Sequence, residues 1–252
     1  MQELGPDKVI GFFAETVVGA TLGCVPPVPG YFKRVREICD KYGVLLILDE
    51  VMSGMGRTGT LYACEQDGVS PDILTCAKGL GAGYQAIGAC LLSDEIYDTI
   101  AGGSGAFQHG FTYIGHPTSC AGALAVQETI ERDGLLDNVQ AQSAALFDAL
   151  QERFGNHAHV GDIRGRGLFI GLELVAERAS KEPFDPARKL FAKVKAEAMR
   201  QGLLCYPNGG AVDGRRGDHI LLAPSFIIGP EQVAEIAEKL GAAVDGAIAE
   251  AA

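Results

Sequence analysis

The chain has 252 residues, of which 47% are apolar and 34 are glycine, and its net charge is -11 at pH 7. This composition is typical of a globular protein with one large or two smaller domains, and it excludes an intrinsically disordered chain. The negative charge and the absence of Lys and Arg clusters argue against a nucleic-acid-binding protein, because contacts to phosphate require a basic surface.

Cysteine use and the N-terminal sequence indicate the compartment. The seven cysteines include no C-x-x-C pair, so we expect reduced thiols, with neither a disulfide framework nor a metal site. The first residues lack the apolar core of a signal peptide, and no apolar run reaches the about 20 residues of a membrane span. We therefore predict a cytoplasmic protein that neither binds a metal nor enters a membrane.

Strand and helix patterns alternate over the first part of the chain. Residues 8–15 predict a buried strand, residues 31–42 have the apolar spacing of a helix, and residues 44–48 predict a strand buried on both faces. Residues 73–76 predict a third strand. This order predicts a parallel sheet with right-handed crossover connections.

A glycine-rich turn and a further strand come next. Gly81, Gly83 and Ala86 fit the G-x-G-x-x-A pattern of dinucleotide-binding loops, but that pattern requires a helix after the turn. Residues 86–92 instead predict another buried strand of the same sheet. A dinucleotide site is therefore not favoured.

A break in a long helical pattern marks the predicted domain boundary. Residues 121–154 predict helix, interrupted at Asp133 and Gly134. We assign residues 1–134 to a large domain that is incomplete at its N-terminus, and residues 135–252 to a smaller C-terminal domain. An α+β fold is predicted for the smaller domain from strands within residues 160–174, 203–206 and 219–228 and helices at residues 186–200 and from residue 230 onward.

The ends of the second and third strands carry a carboxylate and an amine. Asp49 follows the second strand and Lys78 follows the third. Open parallel sheets bind ligands at the carboxyl ends of their strands, where a buried carboxylate needs a cation or a proton donor as partner. Pyridoxal phosphate requires such a pair, because a lysine amine holds its aldehyde as a Schiff base while an acid keeps its ring nitrogen protonated. Alone, the Asp-Glu pair after a strand would more often be a structural ion pair or a helix cap, and the Lys-Gly pair at residue 78 would indicate nothing.

Four sequence blocks resemble the class III (ω-amino-acid) aminotransferases. The chain matches their LDEV, GRTG, PDI and AKGLG blocks at residues 48–51, 57–59, 71–73 and 77–81. The resemblance implies an α/β large domain of fold type I, a mostly parallel sheet with helices on both faces that binds pyridoxal phosphate, followed by a smaller α+β domain. Residues 1–134 are then the cofactor-binding domain.

The same resemblance implies roles for four residues. Asp49 pairs with the pyridine nitrogen, Val51 packs on the face of the ring, and Lys78 carries the cofactor. Thr112 stands in the HGxT position and binds the cofactor phosphate of the neighbouring subunit, so that a homodimer shares its active sites. A mobile loop without a binding role is the alternative at Thr112.

The chain departs from the family in several respects. It matches only the later part of the family, so the family's N-terminal segment is expected to be absent and the sheet to lack strands. Leu221 and Ala20 stand where the ornithine and γ-aminobutyrate types carry an Arg and a Glu. Because both partners of an ion pair are missing together, we predict a different substrate type. Arg215 and Arg216, near the place where amine:pyruvate transaminases carry an Arg, either contact the substrate or belong to a solvated loop.

The sequence thus predicts a pyridoxal-phosphate-dependent aminotransferase that moves an amino group from an amine or ω-amino acid to a 2-oxo acid such as pyruvate. Lys78 also serves as the general base in this interpretation. Three alternatives stay open: another enzyme on the same cofactor site (an aminomutase, racemase or decarboxylase), a truncated and inactive chain, and one half of a split enzyme whose N-terminal half is a separate polypeptide.

Overall fold

The computed structural model of the protein describes residues 2–251, without the side chain of residue 251. The outermost residues of the two predicted domains, 1 and 252, lie outside the described part of the chain. The chain folds into two compact units. Unit 1 comprises Met1–Thr16, Pro27–Gly56 and Thr60–Gly134, and unit 2 comprises Val17–Pro26, Arg57–Gly59 and Leu135–Ala252.

Unit 1 contains a four-stranded sheet. Its strands are β1 (Gly11–Glu15), β2 (Leu45–Asp49), β3 (Ile73–Cys76) and β4 (Ala89–Leu92), in that spatial order. The pairs β1–β2 and β2–β3 are parallel, which confirms the direction predicted for these three strands. The carboxyl ends of β2 and β3 therefore lie at the same edge of the sheet.

Strands β4 and β2 correct two expectations. β4 runs antiparallel to β3, and all four of its residues are exposed, so the prediction of a further buried strand was wrong. β2 alternates between buried and half-buried residues rather than being buried on both faces. An apolar run reports the hydrophobicity of a strand, whereas its exposure depends on which other segments cover each face.

Three helices belong to unit 1. They are α1 (Tyr31–Tyr42), α2 (Asp94–Gly102) and α3 (Pro117–Arg132). Helix α1 ends where Gly43 adopts a φ of 63°, a left-handed conformation that glycine reaches without a steric penalty. Its buried Phe32 and Cys39 pack in one apolar cluster with Leu46 and Leu48 of β2. This cluster fixes the strand that ends at Asp49.

Unit 2 is an antiparallel sheet packed against helices. Its strands are β5 (Val160–Arg166), β6 (Phe169–Leu174), β7 (Tyr206–Gly209) and β8 (Asp218–Leu222), in the spatial order β5-β6-β8-β7. Its helices are α4 (Leu135–Phe154), α5 (Leu190–Arg200) and α6 (Pro230–Ala251). Leu150 of α4, Leu172 of β6 and Leu240 of α6 are fully buried in a single apolar core. None of the described helices has an apolar stretch long enough to cross a bilayer.

The core of unit 2 leads to a stability prediction. Leu172 is 0% exposed and Leu204 is 83% exposed, so truncating Leu172 leaves a cavity and truncating Leu204 does not. We expect Leu172→Ala to lower the free energy of unfolding by about 2–5 kcal/mol and Leu204→Ala to change it by less than about 0.5 kcal/mol. Urea unfolding followed by far-UV circular dichroism measures both, and equal midpoints for the two variants would contradict the core assignment.

Candidate active site

Two neighbouring strands of unit 1 carry the candidate acid and amine to one edge of the sheet. Asp49 is the last residue of β2 and lies in register with Thr75 of β3. Lys78 follows β3 by two residues and begins a 3-10 turn, Lys78–Leu80. Because β2 and β3 are parallel, Asp49 and Lys78 both leave the sheet at its carboxyl edge. This is the edge at which open α/β sheets bind ligands.

One of the two carboxylate oxygens of Asp49 accepts a hydrogen bond from the backbone. Asp49 is half-buried, and its Oδ1 accepts a hydrogen bond from the backbone N–H of Val51 at 2.8 Å. Its Oδ2 accepts no hydrogen bond from the described residues. One oxygen therefore fixes the orientation of the carboxylate, and the second is available to a donor such as a protonated ring nitrogen.

Lys78 is exposed and has an unusual backbone conformation. Its φ is 33°, in the left-handed region that side-chain-bearing residues rarely adopt. Such strain costs about 1–3 kcal/mol and is found most often at functional sites. The amine makes no hydrogen bond or ion pair within residues 2–251, so nothing in that part of the chain competes with an aldehyde for it.

Close packing holds the backbone beside Lys78. A Cβ atom added to Gly79 would lie 3.0 Å from the Cβ of Met55, so the 3-10 turn approaches the buried Met55 more closely than a larger residue allows. Met55 itself has a φ of 55°. The segments that contain Met55 and Lys78, each with a positive φ, therefore pack closely against each other at Gly79.

Glu50 is a further buried residue of this site, to which sequence reasoning assigned no role. It is 0% exposed, and its carboxylate accepts hydrogen bonds from Thr16, Ala63 and Cys64. The signal in the sequence was a second acid directly after Asp49. Its partners are distant in the chain, so the sequence alone did not identify them.

Thr112 lies in an exposed segment of unit 1. All side chains of residues 101–118 are exposed, and Thr112 stands in a turn within them. Its hydroxyl makes no hydrogen bond to a described residue. The predicted binding of a neighbouring subunit's cofactor phosphate by Thr112 stays a prediction.

Comparison with known proteins identifies the family. The family model of the class III aminotransferases matches residues 1–244. The chain belongs to the class III aminotransferase family. These enzymes are pyridoxal-phosphate-dependent transaminases of fold type I.

Individual relatives agree with this assignment. The chain is 48% identical to an uncharacterized aminotransferase of Schizosaccharomyces pombe, over 98% of this chain and 54% of that protein. It is 37% identical to a probable mitochondrial γ-aminobutyrate transaminase 3 of Oryza sativa subsp. indica, over 95% of this chain and 46% of that protein. A solved amine transaminase from an uncultivated Pseudomonas species, in its pyridoxal-phosphate-bound form, is 38% identical, with a TM-score of 0.86 over 100% of this chain and 54% of that chain. The chain thus spans about half the length of the relatives it matches.

The residues at the carboxyl edge of unit 1 fit the cofactor of this family. An exposed amine without a competing partner suits a covalent bond to an aldehyde, and a carboxylate with one uncommitted oxygen suits a protonated pyridine nitrogen. The described residues contain no group of three side chains that could hold a metal ion.

The loop that carries Arg215 and Arg216 is ordered by an aspartate. Asp213 accepts hydrogen bonds from the backbone N–H groups of Arg216 and Arg215 at 2.7 and 3.0 Å and from Nε of Arg216 at 2.8 Å. These bonds, those from Arg216 first, lower the pKa of Asp213 to about 2. Arg216 also faces Glu182 at 3.7 Å, whereas the guanidinium of Arg215 has no ion pair in the described part of the chain. Of the two guanidinium groups, only that of Arg216 is paired with an acid among the described residues.

Leu221 and Ala20, which stand where the ornithine and γ-aminobutyrate types are expected to carry an Arg and a Glu, both belong to unit 2. Leu221 is buried in β8, and the carbonyl of Ala20 accepts a hydrogen bond from Asn208 at 3.2 Å. Arg164 holds the same loop, donating to the carbonyls of Leu22 and Gly23 at 2.7 and 2.9 Å. The prediction of a substrate type other than ornithine or γ-aminobutyrate stays a prediction, because a probable γ-aminobutyrate transaminase is among the relatives.

The buried side chain of His219 packs against the loop that contains Ala20 and Gly23. His219 is 0% exposed, and neither of its ring nitrogens has a hydrogen-bond partner of good geometry within residues 2–251. A Cβ atom on Gly23 would come within 2.7 Å of its Cδ2, so the ring packs directly on the loop backbone. Burial lowers the pKa of His219, the charge of Arg164 adds to this, and Ala20 and Glu173 oppose it only in part.

This lowered pKa predicts a loss of stability in acid. Unfolding lets His219 bind a proton at its ordinary pKa, so its contribution to stability is complete above about pH 6.5 and is lost as the pH falls toward the lowered value. We expect His219→Phe to fold about as stably as the wild type at pH 8, since the ring has no hydrogen bond of good geometry to lose, and to unfold less readily than the wild type at pH 5.

Thermal unfolding of the two proteins from pH 8 to pH 5 measures this difference. His157, which contacts Asp245 at 3.0 Å, is present in both proteins, so the comparison isolates the substitution at position 219. Parallel stability curves over this range would contradict the assignment to His219.

Proposed function

We propose that this chain carries the lysine and the acid of an aminotransferase that transfers an amino group from an amine or ω-amino acid to a 2-oxo acid such as pyruvate. The observation that supports this most directly is the delivery of Asp49 and Lys78 to one sheet edge by adjacent parallel strands. Because the relatives are about twice as long, the activity of the whole protein is part of the proposal.

Lys78 and Asp49 divide the chemistry between them. Pyridoxal phosphate, when bound, supplies an electron sink for the carbon that loses and regains a proton. Lys78 would hold the cofactor, and its amine would serve as the general base that moves the proton. Asp49, whose Oδ1 is fixed by the N–H of Val51, would keep the ring nitrogen protonated.

Two further residues are assigned to the proposed cofactor site. Val51 follows Asp49 at the edge of the sheet and packs its side chain on the ring face. Thr112 binds the cofactor phosphate of a second subunit, which its location in the exposed segment at residues 101–118 permits. The functional unit is then a homodimer with shared active sites, located in the cytoplasm.

The residues of unit 2 bear on the substrate class. Leu221 and Ala20 leave no charged pair for a second carboxylate at the positions used by ornithine-type enzymes. Arg215, which has no ion pair among the described residues, is the proposed contact for a substrate carboxylate. These features favour amines and ω-amino acids with pyruvate as acceptor.

Covalent labelling tests the role of Lys78. The chain is incubated with pyridoxal phosphate, alone and together with the segment that precedes it in the relatives, then reduced with borohydride and digested. We expect the pyridoxyl group on Lys78 and a near-visible absorption band that Lys78→Ala abolishes. Lys181→Ala is the matched control, because Lys181 is also exposed and has a φ of 56°. Labelling of a different lysine in the wild type would contradict the assignment of the cofactor to Lys78.

Asp49→Asn tests the acid. The asparagine oxygen still accepts the hydrogen bond from Val51, so the fold is retained, but the side chain no longer carries the charge that stabilises a protonated ring nitrogen. We expect turnover of an amine with pyruvate to fall by at least about 100-fold, with an unchanged circular dichroism spectrum. The exposed Asp98→Asn serves as control, and wild-type turnover in Asp49→Asn would remove this residue from the mechanism.

A further inference from the structure

The carboxylate of Glu50 is enclosed within unit 1 by neutral donors. Its Oε1 accepts from the hydroxyl of Thr16 at 2.9 Å and from the N–H of Cys64 at 2.8 Å, and its Oε2 accepts from the N–H of Ala63 at 2.6 Å. The side chain is 0% exposed. Glu50 therefore ties three separate segments of the chain, the end of β1, its own turn and the turn at residues 63–67, to one point.

The backbone of Glu50 continues the sheet toward the candidate lysine. Its N–H donates to the carbonyl of Thr75 in β3 at 2.8 Å, and its carbonyl accepts from the N–H of Gly54 at 3.0 Å. A Cβ atom on Gly54 would lie 2.8 Å from the carbonyl oxygen of Glu50 and 3.2 Å from its Oε2. The turn at residues 50–56 is thus folded tightly around the Glu50 side chain.

That turn contacts both ends of the proposed cofactor site. At its start, the N–H of Val51 orients the carboxylate of Asp49. At its end, Met55 packs against Gly79, next to Lys78, within 3.0 Å of where a Cβ would lie. A shift of the turn would therefore move the acid and the lysine together.

We infer that Glu50 is a positioning residue, whose buried carboxylate fixes the turn at residues 50–56 and thereby sets the placement of Lys78 and the orientation of Asp49. The inference rests on the proposed function in so far as these two residues hold the cofactor. The side chain of Glu50 makes no hydrogen bond to either of them, and it acts through Val51, Met55 and Gly79.

The hydrogen-bond pattern makes Glu50→Gln a sharp test. The carboxylate accepts hydrogen bonds from the described residues Thr16, Ala63 and Cys64 and donates none, but a glutamine must place an NH₂ group at one of its two terminal positions. At the Oε2 position this group faces the N–H of Ala63, and at the Oε1 position it faces the N–H of Cys64. Either way two donors oppose each other in a buried site, and the turn must move.

Three further variants separate positioning from general destabilisation. Thr16→Val removes one of the three hydrogen bonds and keeps the side-chain volume, so it provides a milder change should Glu50→Gln fail to fold. Phe32→Leu weakens the apolar cluster of unit 1 that also contains Met55 and Cys64, where Phe32 is 1% exposed, but it leaves the hydrogen bonds to the Glu50 carboxylate in place. Thr16→Ser retains the hydroxyl and serves as the conservative rescue.

Hydrogen–deuterium exchange gives a readout without the cofactor. We expect Glu50→Gln to speed exchange in the peptide covering residues 77–82 by about 10-fold, Thr16→Val to do so to a smaller extent, and Phe32→Leu and Thr16→Ser to leave it at the wild-type rate. Equal exchange in this peptide for Glu50→Gln and Phe32→Leu, or wild-type exchange for both Glu50→Gln and Thr16→Val, would overturn the inference.

Labelling with pyridoxal phosphate and borohydride gives the second readout. We expect the fraction of Lys78 labelled at subsaturating cofactor to fall about 10-fold in Glu50→Gln, and the pH midpoint of the near-visible band to shift in this variant and not in Phe32→Leu. If the wild type is not labelled at Lys78 but the exchange result holds, the proposed function fails and the positioning of the turn by Glu50 stands. If the wild type is labelled and Glu50→Gln matches it in yield and pH midpoint, the inference fails alone.

Discussion

The parallel pairing of β2 with β3 is the constraint on which the candidate site depends. Because the two strands run in the same direction, the residues that follow them emerge at one edge, and Asp49 and Lys78 share it. An antiparallel β3 would have delivered Lys78 to the opposite edge. Glu50 adds one more bond between the strands, to Thr75, before its turn folds back toward the lysine. The acid and the amine are therefore fixed in a single frame of backbone hydrogen bonds.

The order of elements was predictable because it depends on local signals. Apolar runs marked β2 and β3, helical spacing marked α1, and Gly134 marked the break before α4. The exposure and direction of β4 were not predictable, since they depend on which segments cover the strand and not on its own four residues. Contacts between segments distant in the chain likewise place residues 17–26 and 57–59 in unit 2, whereas the sequence marked only the boundary near residue 134.

The candidate site was predictable in part, and the difference is one of distance along the chain. Asp49 and Lys78 each follow a recognisable strand, so a sequence pattern was enough to single them out. The role of Glu50 depends on Thr16 and Cys64, which lie 34 and 14 positions away and approach it only in the folded unit. The pairing of Arg216 with Asp213 and the isolation of His219 likewise follow from tertiary packing.

The positive φ of Lys78 bears on the balance between stability and reactivity. At this backbone conformation glycine is the residue of lowest energy, so the lysine costs the folded chain about 1–3 kcal/mol that a glycine would not. A sequence optimised for thermal resistance alone would therefore discard the amine at this position. Engineering for stability therefore needs to exempt residue 78, since the substitution that relieves the most backbone strain there would also remove the candidate cofactor lysine.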